Sequence, residues 1–106
     1  MEEKRLLAST PYEGLKNGTH IDTEVYYTKG GRDFFFGDFV TRGYYVSVLP
    51  VTRKDGMVIV SSGTAKTRLL MPAHRFSAKQ FEQAVEMGKQ SAPELISQVL
   101  KRERAA

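Results

Sequence analysis

Tyr44 to Thr52 alternates cleanly, with Tyr44, Val46 and Val48 on one side and Tyr45, Ser47 and Leu49 on the other, which predicts a strand. Pro50 lacks an N–H, so this end of the strand is expected at an edge or a bulge. Asp55-Gly56 follows, a dipeptide that favours a tight hairpin because both turn positions need positive φ, and Met57 to Ser61 returns as the partner strand. Upstream, Ile21 to Thr28 holds Val25, Tyr26 and Tyr27, residues suited to a pleated surface. Gly30-Gly31 breaks that run. Asp33 to Phe36 resumes as a short strand or aromatic turn, closed by Gly37-Asp38. Thr64 to Met71 permits a fourth strand that Pro72 ends, and the pattern leaves that segment open.

From Ser77 the spacing turns helical. Ser77 and Gln80 read as a capping box, and Phe81, Ala84 and Val85 make one apolar face that runs to Gly88. Ser91, Pro93 and Glu94 read as a new start, with Leu95, Ile96, Val99 and Leu100 as its apolar stripe and Lys101, Arg102 and Arg104 suited to a C-terminal dipole. The expectation is two C-terminal helices, the alternative being one helix kinked at Pro93. At the other end Glu2 to Ala8 has the makings of a short helix, which Ser9-Thr10-Pro11 stops, and Gly14, Asn17 and Gly18 follow. Residues 1–20 are therefore read as a loosely ordered arm and 21–106 as a single domain. Strands first and helices afterwards predict an α+β fold: a small antiparallel sheet of three to four strands with two helices packed on one face.

Composition narrows the function. The 106 residues contain no cysteine, which excludes disulfides, thiolate metal sites and cysteine nucleophiles. No apolar run nears the roughly 18 residues of a membrane helix, and Leu6-Leu7 is too short for a signal-peptide core, so the expectation is a cytoplasmic protein with no membrane partner. The net charge of +4 is concentrated centrally: residues 29–80 carry nine Lys/Arg against three Asp/Glu, while the flanks are acidic or neutral. Such a segment attracts anionic partners, or simply solvates the surface.

Eight of the eleven aromatic residues fall between Tyr26 and Tyr45. Alternation within Tyr26-Tyr27 and Tyr44-Tyr45 puts one ring of each pair on each face, so some rings are expected to stay exposed beside cations. Single-stranded nucleic acid is held by that combination, since bases stack on rings while cations track phosphates. A protein interface uses the same residue types.

Specific chemistry is sparse. His20, Asp22 and Glu24 share one face of a strand and have metal-ligating or acid–base side chains, but no second histidine lies nearby, and an exposed polar face is the favoured account. Gly63-Thr64-Ala65-Lys66-Thr67 lacks the glycine spacing of a phosphate loop, and no serine sits in a nucleophile elbow. Two anion sites are better founded. In Lys29-Gly30-Gly31-Arg32 the glycines let amides turn outward between two cations, although an ordinary hairpin turn is the favoured account. At His74-Arg75-Phe76-Ser77 a basic pair precedes a helix start, where Ser77 capping is the simpler account.

The run Lys29-Gly30-Gly31-Arg32-Asp33-Phe34-Phe35-Phe36-Gly37, followed by Arg42-Gly43-Tyr44-Tyr45 and a strand reaching Pro50-Val51, resembles small uncharacterised proteins carried on conjugative and other mobile elements of Gram-positive bacteria. The likeness spans about residues 27–85 and implies a setting, with no activity attached. The expectation is accordingly a non-enzymatic accessory protein without metal or cofactor that binds nucleic acid, preferably single strands, with low specificity. Lys29, Arg32, Arg42, Arg53, Lys54 and Arg75 are the candidate phosphate contacts, and Tyr27, Phe35 and Tyr45 the candidate stacking rings. The alternative is an adaptor that binds a protein partner through the same surface, and the aromatic excess with a free strand edge suggests a homodimer.

Overall fold

The computed structural model describes residues 3–32, 39–60 and 64–105. Its sheet contains β1 (Lys4–Thr10), β2 (Thr19–Thr28), β5 (Gly43–Lys54), β6 (Met57–Val60) and β7 (Lys66–Pro72); β3 (Gly31–Arg32) and β4 (Phe39–Val40) form a separate two-stranded ribbon. A helix, α1 (Ala78–Ala105), completes the chain. The strands pair antiparallel in the order β1-β2-β5, and the far edge of β5 is divided between two partners. β7 pairs with Gly43 to Val48, and β6 with Val51 to Lys54. Leu49 and Pro50 fall at the break, so the proline sits where no neighbour asks for its missing N–H. The Asp55-Gly56 turn has both residues at positive φ, 52° and 77°, as the hairpin requires.

Two expectations change. The N-terminal segment is not a helix: Lys4–Thr10 forms the edge strand β1, paired with Tyr26 back to Ile21, so this part of the supposed arm belongs to the sheet. The C-terminal part is one helix of 28 residues rather than two, with Pro93 inside it. Its buried residues, Phe81, Ala84, Val85, Gly88, Ala92, Leu95, Val99 and Leu100, recur every three to four positions without interruption. Pro93 is exposed, so the break it makes in the helical ladder faces water while the buried stripe continues past it. The segment left open from Thr64 to Met71 contains β7, whereas the expected element at Asp33–Phe36 lies outside the described residues.

The helix covers one sheet face, where Ile21, Val25 and Tyr27 of β2 and Tyr44, Val46 and Val48 of β5 meet its apolar stripe. A bulge in β1 and another in β7 each leave one residue out of register, Leu7 and Leu70, and both leucines pack against this core. Tyr27, Tyr44, Phe76 and Phe81 form a ring cluster at the N-terminal end of the helix, with centroids 5.0–6.2 Å apart. Tyr44 also sets the helix start. Its hydroxyl accepts the Ser77 N–H at 2.8 Å and donates to the Ser77 carbonyl at 3.2 Å, while Ser77 Oγ accepts the Gln80 N–H at 3.3 Å. Half of the capping box is thus present, and a tyrosine from the sheet stands in for the other half.

Candidate functional site

The strand ends at Thr28, Gly43 and Pro72 meet the start of α1 at one end of the molecule, and this end gathers cations. Arg42 organises it. Its Nε donates to the Lys29 carbonyl at 2.8 Å and its Nη1 to the His74 carbonyl at 3.2 Å, and its own carbonyl accepts the Ala73 N–H at 3.1 Å. These partners are backbone carbonyls, and through them the guanidinium pins two loops together. One shallow depression is lined by Thr41, Arg42, Pro72, Ala73 and His74, and the next by Ala73, His74, Arg75, Ser77 and Lys79 among others. Lys29, Arg42, Arg75 and Lys79 therefore lie along a continuous band of exposed surface. Among the described residues none of the four is in an ion pair; the pairs that exist join Lys4–Glu24, Arg5–Glu82, Arg53–Asp22, Arg68–Glu94 and Lys89–Glu86. Cations without a carboxylate partner among the described residues raise the local concentration of anions.

The structure brings together only part of the set expected from the sequence. Lys29, Arg42 and Arg75 share the basic end, whereas Arg53 and Lys54 sit at the opposite end of β5, about 35 Å away at roughly 3.3 Å per residue. Arg53 is also occupied: its Nη2 lies 3.1 Å from the buried Asp22 carboxylate, which also accepts the Ser9 hydroxyl at 2.5 Å. Arg32 falls in β3, with its side chain outside the described residues, as is the whole of Phe35. Tyr27 and Tyr45 are each only 7% exposed, and their hydroxyls donate to the carbonyls of Ala73 and Thr41. Neither ring is presented as a stacking platform.

The rings that are accessible are others. Phe39 of the ribbon is 80% exposed, and Tyr26 stands half-buried on the uncovered sheet face, edge-on to Tyr45 at 5.7 Å. Burial, with smaller contributions from Tyr45 and Glu24, raises the Tyr26 phenol above its ordinary range against an opposing hydrogen bond from Thr67, so it is a neutral hydroxyl at physiological pH. Lys79, Phe39 and Tyr26 all stood in the sequence as members of the charge excess and the aromatic cluster. Alternation separates the two faces but does not say which ring on each face is covered.

Two other candidates from the sequence have partners within the fold. The Gly30 N–H donates to Thr28 Oγ1 at 3.2 Å and Gly31 enters the ribbon opposite Val40, so the glycine pair serves a structural turn. Asp22 and Glu24 of the possible metal trio are bound to Arg53 and Lys4, and no group of three potential metal ligands occurs among the described residues. Among those residues, too, no helix is long and apolar enough to cross a membrane. No protein-family model matches the chain, and neither curated proteins nor solved structures provide a match.

Proposed function

We propose that this chain is a non-enzymatic nucleic-acid-binding protein of low sequence specificity, and that it prefers single strands. The observation that carries the reading is the band formed by Lys29, Arg42, Arg75 and Lys79, four exposed cations without a carboxylate partner among the described residues, at the end of the molecule where the ribbon presents Phe39. The setting of a mobile element rests on the sequence resemblance alone.

Phosphate contacts give this reading a quantitative signature. Each neutralised phosphate of a single strand contributes about 0.7 to the slope of log affinity against log salt. Fluorescence anisotropy with a labelled oligonucleotide is expected to show affinity falling steeply from low to physiological salt. Converting Lys29, Arg75 and Lys79 together to Gln flattens the slope by about 2. Arg53→Gln with Lys54→Gln leaves it nearly unchanged, because those residues lie at the other end of β5. Arg42 is a poor probe, since its loss also releases the Lys29 and His74 carbonyls. Absence of binding at high micromolar protein and low salt removes the proposal.

A second reading, a protein-contact module, is favoured by β6. Met57, Val58 and Ile59 are 66%, 60% and 59% exposed, and among the described residues β6 pairs only with β5, leaving an apolar outer edge. A partner strand, or a second copy in a homodimer, adds there in this reading. Sedimentation then shows a dimer that Ile59→Lys converts to monomer, whereas a monomer near 11.9 kDa at high micromolar concentration removes the homodimer.

A further inference from the structure

Next to the basic band, on the sheet face that the helix leaves open, is a hollow of about 390 Å³ lined by Tyr26, Phe39, Thr41, Tyr45, Thr67 and Leu69. We infer that this hollow seats a single unpaired nucleobase of the bound strand, with the Phe39 ring as its stacking surface. The inference rests on the nucleic-acid reading above and adds to it the part of the ligand recognised and the residues that recognise it.

Three features argue for a base. The first is the character of the lining: the Tyr26 and Phe39 rings and Leu69 supply apolar surface, while Thr41, Thr67 and Tyr26 are the few hydroxyl-bearing residues beside a heterocycle's edge. A cavity of a few hundred cubic ångströms with apolar walls and a small number of polar groups is what a small planar ligand needs. The second is Phe39 itself, whose ring is 80% exposed although Tyr45 directly beside the hollow is almost wholly covered. A ring left in water at the mouth of an apolar hollow gains most from a flat partner. The third is charge complementarity. Thr41 lines both this hollow and the depression that contains Arg42, which leads on to Arg75 and Lys79. An apolar group seated in the hollow is therefore expected to be joined to an anionic chain running along the cations, which describes a nucleotide strand and not an apolar peptide. In a duplex both faces of each base are covered by its neighbours, so only an unpaired base can offer a face to Phe39. The scarcity of polar groups agrees with low sequence preference.

The test compares wild type, Phe39→Ala and Phe39→Trp on three labelled probes, titrated at a series of salt concentrations from low to physiological: an oligothymidine, an oligomer of the same length with abasic sites, and a duplex. The wild type is expected to bind the oligothymidine about 5- to 100-fold more tightly than the abasic oligomer or the duplex. Phe39→Ala is expected to lose that advantage, Phe39→Trp to keep it, and all three proteins to show the same salt slope. Because Phe39 is exposed, its replacement leaves the core untouched. Equal affinity of wild type for the oligothymidine and the abasic oligomer overturns the base site, as does unaltered binding by Phe39→Ala. In both cases the steep salt dependence still stands and keeps the basic band as a phosphate site. If wild type binds none of the probes, the base site and the nucleic-acid reading fall together.

Discussion

Replacing Gly88 with leucine is expected to cost at least 3 kcal/mol, measured as a lower denaturant midpoint at unchanged slope. Gly88 is a point of close approach between helix and sheet: a Cβ built there lies 2.6 Å from Val25 Cγ2 and 3.6 Å from Val46 Cβ. Ala84, Gly88 and Ala92 are spaced at four residues along the buried stripe, so the helix approaches β2 and β5 along its smallest side chains. Val25 is fully buried and β-branched, and it cannot swing aside without displacing its neighbours. Alanine is the more discriminating variant. Helix propensity alone makes Gly88→Ala stabilising by about 1 kcal/mol, whereas overpacking costs about 1–3 kcal/mol. The 2.6 Å contact decides for overpacking, and the expected net result is a loss of about 1 kcal/mol. A gain in stability on Gly88→Ala would mean that the helix has room to move outward.

Tyr44→Ala is expected to be still more damaging, at about 3–5 kcal/mol for the ring alone. Tyr44 is completely buried, contacts Tyr27, Phe76 and Phe81, and joins the central strand to the first turn of the helix. Tyr44→Phe separates the two roles. The ring stays, but the Ser77 N–H loses its acceptor, while the Ser77 carbonyl still accepts the Phe81 N–H; one unsatisfied donor typically costs about 1–3 kcal/mol. Equilibrium unfolding of both variants measures the difference. If Tyr44→Phe matches wild type, the hydroxyl contributes nothing net and the helix start is held by Ser77 capping alone.

The strands were legible wherever alternation or turn chemistry was local. Tyr44 to Thr52 and the Asp55-Gly56 hairpin needed no information from elsewhere in the chain. β1 was not legible, because Lys4 to Thr10 becomes a strand only through Tyr26 to Ile21, and its own residues suit a helical turn equally well. Pro93 misled for a related reason. A proline after a serine looks like a fresh helix start, yet the apolar stripe from Gly88 to Ala92 and Leu95 runs straight through it. Of the site, the sequence supplied the charge excess and the aromatic cluster but not their distribution. β5 runs from just after Arg42 to Lys54 and so separates Arg42 from Arg53, Asp22 engages the second of them, and the hydroxyl of Tyr45 turns back to Thr41. Of those outcomes, the pairing of Asp22 with Arg53 depends on a contact across the sheet.

The divided edge of β5 has a consequence for how this domain tolerates change in length. Val51 to Val60 forms a hairpin that continues the sheet beyond the break at Pro50, and β7 ends short of it. A two-residue extension of both hairpin arms would preserve the pleat and add surface at the tip without shifting any residue beneath the helix. The same two residues inserted into β7 would instead have to be absorbed against Leu70 and the core. Lineages of this chain are therefore free to lengthen, shorten or redecorate the tip around Asp55-Gly56, while the half of β5 from Gly43 to Val48 holds its length.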